Sequence, residues 1–477
     1  MKTTSQTPVT PASNSIRATL TTGSVSQHLI SMSWPMIWGI LATMSFNAAD
    51  TWFVTRLGDL SMDSVEDAAL GDLALAAMGY TFPVVMIITS IAIGLGAGAS
   101  SAIARAMGGG NKNRVSRLAT DSVTLATIIS VAVSIAGWLS IDWVFVGLLN
   151  ATEDTMPLIR EYMSIWYLSA PLLLVPMIVL SALRALGFAS IQGVLMIVGA
   201  FINIILDPFL IFGWWGLPRL GLEGAAYATL ISRLFTLVVA FYYLQGRMHV
   251  LTSPFAALSE IKSSWYSLFH IGIPSMISNL IIPVSSLIIF AAVSYLYGEQ
   301  AVAGLGVALR IEPIALIVFY ALSAVVGPLF GQNQGAGLYD RLFEGLSVVT
   351  RFCFLFGIAL AVLLWIFGAL FAGLFSDSEE ILSVAVKYLM IVPISYGAYG
   401  LVMSVIAMFN GLGMPFQSLT VSFLRVLGLY LPIAFVSNCI WGLTGLIIAT
   451  AISNLLVGLI AYYWLKRALT KEKSLQI

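Results

Sequence analysis

Charge is what this chain has least of. Only 9% of its 477 residues are Asp, Glu, Lys or Arg, where a soluble domain carries roughly 25%, and 59% are hydrophobic. That balance excludes an ordinary soluble protein and implies one that crosses a membrane many times. The 22 basic and 22 acidic residues cancel, so no net field invites nucleic acid. Cysteine is nearly absent: Cys353 and Cys439 lie far apart in apolar segments, which argues against a disulfide framework. The three histidines, His28, His249 and His270, are scattered without metal-ligand spacing. The first 28 residues are polar and lack the apolar run and cleavage site of a signal peptide, so the run from Leu29 reads as an uncleaved first span. A nucleotide-binding loop is missing too. The glycine-rich stretch 94–101 has no Lys-Ser/Thr after it and falls inside a span, where small residues serve close helix packing.

What is present is a series of long apolar runs. Punctuated by charge, Gly and Pro, they predict twelve spans at 29–56, 73–104, 117–149, 158–186, 190–213, 223–246, 267–297, 301–331, 342–374, 381–410, 416–437 and 443–466. One set of connections is basic (Arg105, Lys112, Arg114, Arg117; Arg247, Lys262; Arg341; Lys466, Arg467, Lys471, Lys473). The other is acidic (Asp59, Asp63, Glu66, Asp67, Asp72; Glu153, Asp154; Asp377, Glu379, Glu380). The positive-inside rule then places both termini in the cytoplasm.

The chain also repeats itself. Residues 162–187 lie over 388–413 at a shift of 226, and at 227 the turn 108–114 meets 335–341. Pro35 meets Pro274 after an insertion, the acidic loop 59–71, and the tetrad 221–224 matches 442–445 near the end of each half. Six spans per half is an even number, so both halves cross in the same sense and a pseudo-two-fold along the membrane normal relates them. The expected fold is all-α: two parallel six-helix lobes, 29–250 and 267–467, joined by a linker at 251–266, with cytoplasmic tails at 1–28 and 468–477.

Within this frame buried acids stand out. Asp50 sits inside the first span with no base beside it. An ionised Asp near mid-membrane costs roughly 3 kcal/mol or more, so a span keeps one only with a partner, a wet cavity or a task. Asn47 lies three residues earlier, on the same face. Pro35 lacks an amide hydrogen and is a natural bend point. Asp207 follows Asn203 by one turn in the fifth span, and Pro208 frees a carbonyl near Asn203. The repeat partners of Asp50 and Asp207 are approximately Ile289 and Ile433, so the fold does not require these acids. Two carboxylates in one dry pocket do not comfortably both ionise, and the pair takes up a proton as a unit. Asp50, Asp207 and the Asn203 carbonyl are also hard oxygen ligands for Na⁺, an alternative the residues leave open.

At these residues the sequence resembles the multidrug and toxic compound extrusion (MATE) family of cation antiporters. The resemblance covers about 31–467: the twelve spans in two parallel halves, Pro35, Asn47, Asp50 and Gly58 in the first span, the turn 331–336, and Arg184 to Gly187. It is similar to the DinF-like branch, where functional acids concentrate in the N-terminal lobe. The resemblance implies that Asp50, Asn203 and Asp207 couple transport to H⁺, with Tyr162 supporting them and Pro35 as the bend. Thr43 and Phe46 stand where relatives line the site with polar or tyrosine side chains. The implied protein is a secondary active efflux antiporter of a bacterial inner membrane, not an enzyme. It works without a cofactor, as a monomer in the bilayer, on amphipathic and often cationic small molecules.

Other charged residues are weighed against structural roles. Arg310 and Glu312 are two apart, do not face each other on a helix, and offer a second-lobe polar site. Arg233, Arg351 and Arg425 read as snorkelling or as partners of acids such as Asp121. Arg184 is explained by positive-inside bias. Two rival functions remain: a flippase for a lipid-linked substrate, which needs a basic central cavity, and an intramembrane enzyme using the aspartates as an acid/base dyad.

Overall fold

The computed structural model describes residues 18–56 and 65–475. Its helices are α1 (Val25–Thr55), α2 (Val65–Gly108), α3 (Lys112–Leu139), α4 (Met156–Leu168), α5 (Ala170–Ala185), α6 (Ala189–Phe212), α7 (Gly221–Phe241), α8 (Leu258–Ala315), α9 (Ile317–Gly335), α10 (Tyr339–Gly373), α11 (Glu379–Ile391), α12 (Tyr396–Gly411), α13 (Pro415–Phe423), α14 (Leu431–Trp441) and α15 (Leu443–Ser474). Among the described residues, ten helical stretches are long and apolar enough to cross a membrane alone, and α4 with α5, bent by 41°, make an eleventh. Gly298, at φ 80° and ψ −178°, interrupts the 58-residue α8. The two arms of α8 then belong to different spans, the second continuing into α9, and the total is twelve as predicted.

The duplication shows in the backbone. Gly187 and Gly413, equivalent at a shift of 226, have φ of 97° and 73°, and Gly110 and Gly337, equivalent at 227, both have 72°. A side chain at these turns would meet the left-handed region that glycine alone enters freely. The fourth span breaks at Ser169, between α4 and α5, and its repeat partner breaks around Ser395, between α11 and α12.

Many hydroxyl side chains inside the spans are satisfied by their own helix. The Thr89 and Ser90 hydroxyls, for example, donate to carbonyls four residues back, at 2.8 Å each. Glycine sets helix spacing: Gly193 of α6 lies against the Pro35 backbone of α1, and Gly94 and Gly98 of α2 lie against Gly272 and Leu268 of α8. This agrees with the packing role read for 94–101. The C-terminal lobe packs around Phe319, Phe330, Tyr396 and Phe409, all fully buried. Leu20, Val25 and Met36 from the start of the chain join that core, so the segment read as an N-terminal tail is part of the packed body from residue 18 onward.

Three boundaries differ from expectation. The linker read at 251–266 is helical from Leu258, and its first part is pinned to α3, where the Thr252 amide donates to Thr120 Oγ1 at 2.9 Å. Residues 65–72 of the expected acidic loop are helical, while Gly58, Asp59 and Asp63 lie outside the described residues. The tail read from 468 continues α15 to Ser474, and Lys473 reaches Asp340 at 2.6 Å.

The lobes touch at the end of the bundle that carries the N-terminus. Gln332 of α9, fully buried, accepts a hydrogen bond from the Leu20 amide (3.1 Å) and donates to the Ala185 carbonyl (2.7 Å). Asn333 donates to the Leu20 carbonyl at 3.1 Å and accepts from Arg341 Nε at 2.9 Å. Gly108 and Gly335 bring α2 and α9 into backbone contact beside them.

Candidate functional site

Four helices of the N-terminal lobe converge on the two aspartates. From α6, Asp207 and Asn203 point inward, at 0% and 1% exposure. Their spacing of four residues stacks them on one face, and Pro208 inside α6 leaves the carbonyl of Ile204 without its helical donor. With its amide nitrogen towards Asp207, Asn203 donates to Oδ2 at 3.2 Å, and its oxygen accepts from the Thr229 hydroxyl (3.2 Å) and amide (3.1 Å) of α7. From α1, the half-buried Asp50 reaches the same region and interacts electrostatically with Asp207. Tyr162 of α4 adjoins both acids. Each acid keeps one buried carboxylate oxygen, Asp50 Oδ1 and Asp207 Oδ1, with no hydrogen-bond partner among the described residues.

One member of the site was not foreseen. Arg233 of α7 interacts electrostatically with Asp50 and Tyr162. Its guanidinium lies 5.7 Å from the centre of the Trp166 ring, and Nη1 stands 3.4 Å from Ser169 Oγ, at the break between α4 and α5. The expectation that Arg233 snorkels or pairs with Asp121 is corrected: Asp121 is held by Arg117, one turn away on α3, and both are buried. Arg233 stands ten residues inside its predicted span, so the rule that singled out Asp50 applied equally to it.

Other expected site residues are not brought in. Asn47 is exposed and its carbonyl accepts from the Thr51 hydroxyl. Sharing a helical face with Asp50 did not place it in the pocket, because α6 covers only part of that face. The Thr43 hydroxyl is used by its own helix, donating to the Gly39 carbonyl at 2.9 Å. Phe46 is half-buried. Pro35 lies inside an unbroken α1. In the second lobe, Arg310 is exposed, while Glu312 accepts a hydrogen bond from Tyr388 and interacts with Arg425. They do not pair with each other, in keeping with their spacing.

Between the lobes lies a cavity of about 420 Å³, lined from one side by α2 and α5 and from the other by α8, α9, α12 and the helical segment Leu424–Tyr430 that carries Arg425. Arg184 lines it, so positive-inside bias does not account for that residue, and neither Asp50 nor Asp207 does.

Two six-helix lobes around a shared cavity, with two neighbouring carboxylates and a cation gathered in the first lobe, define a membrane transporter rather than an enzyme or a scaffold. The chain belongs to the MATE family: its family model, MatE, matches residues 68–209 and 274–436. A protein of Shewanella oneidensis named FAD transporter is 36% identical over 450 residues, 94% of this chain and 96% of its own. A probable multidrug resistance protein of Bacillus subtilis, YoeA, is 28% identical over 84% of this chain and 89% of its own. The crystal structure of the Vibrio cholerae MATE transporter VcmN in the bent form superposes with a TM-score of 0.86 at 30% identity, covering 94% of this chain and 98% of that one.

Proposed function

We propose that this chain is a secondary active exporter of amphipathic organic compounds, driven by protons taken up at Asp50 and Asp207. The observation that carries the reading is the pair of neighbouring carboxylates, each with one buried oxygen unpartnered, with Arg233 interacting with Asp50. With both acids ionised and Arg233 charged, the cluster holds one net negative charge in a low-dielectric lobe, and one proton neutralises it. The proposed orientation has both termini in the cytoplasm of a bacterial inner membrane. The contacts of Gln332 and Asn333 then close the cytoplasmic end, and the described state faces outward.

In the proposed cycle, proton entry from outside neutralises the cluster, and α1, unbroken in this state, bends at Pro35. The lobes rock, the cluster deprotonates to the cytoplasm, and a new cargo molecule enters the cavity. Arg233, which interacts with Asp50 and reaches the α4–α5 break, links protonation to helix geometry. The concentration of acids in the first lobe supports a place in the DinF-like branch. For the cargo, the Bacillus relative's name supports drug-like compounds; the Shewanella relative's name, with the two arginines of the cavity, favours a dinucleotide as a second reading.

The test is efflux of ethidium from proteoliposomes under an imposed pH gradient in sodium-free buffer. Wild type is expected to export against the gradient, and Asp50→Asn and Asp207→Asn to lose pH-driven export while remaining folded. Full pH-driven export in both variants would remove the site, and export that requires Na⁺ would replace the ion.

A further inference from the structure

The central cavity has a polar side and an aromatic side. On the polar side, Ser100 of α2 and Ser275 and Ser278 of α8 are 2–8% exposed, and none of their hydroxyl oxygens has a hydrogen-bond partner in the protein. Arg184 joins them: Nη2 donates to Ser181 Oγ at 3.1 Å, but its buried Nε donates to nothing in the protein. Buried polar groups are satisfied in the great majority of cases, and leaving one unsatisfied costs about 1–3 kcal/mol. These four residues, with Asn410, whose Oδ1 is likewise unpartnered, line one cavity and form a built polar site.

The charge of the cavity has one sign. Arg184 and Arg425 line it and no carboxylate does. Arg425 is partly offset by Glu312 in the adjoining cavity, with which it interacts; Arg184 has no acidic neighbour among the lining residues. The aromatic side is formed by Tyr320 and Tyr399, with the Arg425 guanidinium 4.4 Å from the centre of the Tyr399 ring. A guanidinium stacked on a tyrosine is a planar platform. The adjoining cavity of about 380 Å³ shares Tyr320, Tyr399 and Arg425 with this one, so a ligand longer than a single ring system has room to extend.

We propose that the central cavity binds a planar aromatic compound bearing phosphate, the phosphate taken by Arg184 with Ser275 and Ser278 and the ring by the Tyr320, Tyr399 and Arg425 face. An arginine fork matches phosphate geometry, and in a cavity without acids its charge is not already spent on a carboxylate. An organic cation of the same size meets Arg184, with no acid among the lining residues beside it, and Arg425, offset only in part by Glu312. The assignment rests on the exporter reading only for the use of the site in transport; binding itself is independent of it.

The experiment is equilibrium dialysis of the purified full-length protein in detergent against riboflavin, FMN, FAD and ethidium. The three flavins keep one ring and vary the phosphate. Wild type is expected to bind FMN and FAD at least tenfold more tightly than riboflavin. Arg184→Gln should abolish that preference while leaving riboflavin within about twofold, and Tyr399→Leu should weaken all three flavins. The double variant Ser275→Ala with Ser278→Ala removes only unpartnered hydroxyls, so the fold is preserved, and it should weaken FMN at least threefold without affecting riboflavin. Equal binding of riboflavin and FMN to wild type, a preference that survives both the arginine and the serine variants, or tighter binding of ethidium than of FMN would overturn the assignment. A failed flavin preference beside intact pH-driven ethidium export would sink this inference and leave the antiporter; a flavin preference beside pH-driven FMN export that Asp50→Asn and Asp207→Asn leave unchanged would sink the proton site and leave the cavity.

Discussion

Gln332 holds the two lobes together at the end that carries the N-terminus, and its replacement by Ala tests whether that contact governs access. The side chain is fully buried and bridges the lobes by accepting from the Leu20 amide at 3.1 Å and donating to the Ala185 carbonyl at 2.7 Å. Truncation leaves both main-chain groups buried and unpaired, at about 1–3 kcal/mol each, and only in the state where this end is shut. Even the lower bound, ~2 kcal/mol in total, moves a two-state equilibrium about 30-fold towards the state open at this end. Spin labels at Asn113→Cys and Ala336→Cys, both exposed at this end of the bundle, report the change by double electron-electron resonance. The exposed Cys439 is removed as Cys439→Ser, and Cys353 is buried and inert. The parent should show one short distance and Gln332→Ala a second, longer one. Gln334→Ala, whose Oε1 has no partner in the protein, should leave the distribution unchanged. An identical distribution in parent and Gln332→Ala, with both folded, would refute the role of this contact in access.

Other outcomes follow from the same contacts. Arg233→Met removes the cation that interacts with Asp50; pH-driven export should slow at least tenfold while cargo affinity stays within about twofold, and an unchanged rate would confine Arg233 to packing on Trp166. Asp121→Ala leaves Arg117, 8% exposed, with the carbonyls of Ser253 and Pro254 as hydrogen-bond partners and Glu260 as its acidic neighbour, and thermal unfolding in detergent should register a loss of about 1–3 kcal/mol. Gly108→Leu puts a side chain into the Gln332 backbone, so the end closed here should stay open, seen as the longer label distance and loss of export.

Twelve apolar runs, their duplication and the one-turn stacking of Asn203 on Asp207 were all legible in the residues, because hydropathy and helical periodicity are local properties that a bilayer enforces on every segment. The same logic marked Asp50 as a residue needing a partner. It could not say which partner. Asn47 lies about 60° round the helix from Asp50, yet α6 covers one and leaves the other exposed, a choice made by where the neighbouring helix crosses at Gly193 and Pro35. Arg233 entered the acid cluster, and Arg184 the central cavity, from spans whose composition alone was compatible with snorkelling. Gln332 meets Leu20 across 312 residues of chain. Sequence determined which segments cross and which of them carry charge, since a desolvated backbone must close its hydrogen bonds within each helix. Tertiary structure alone decided which charges meet and which face the cavity, since those depend on the relative rotation and crossing of helices that no single segment encodes.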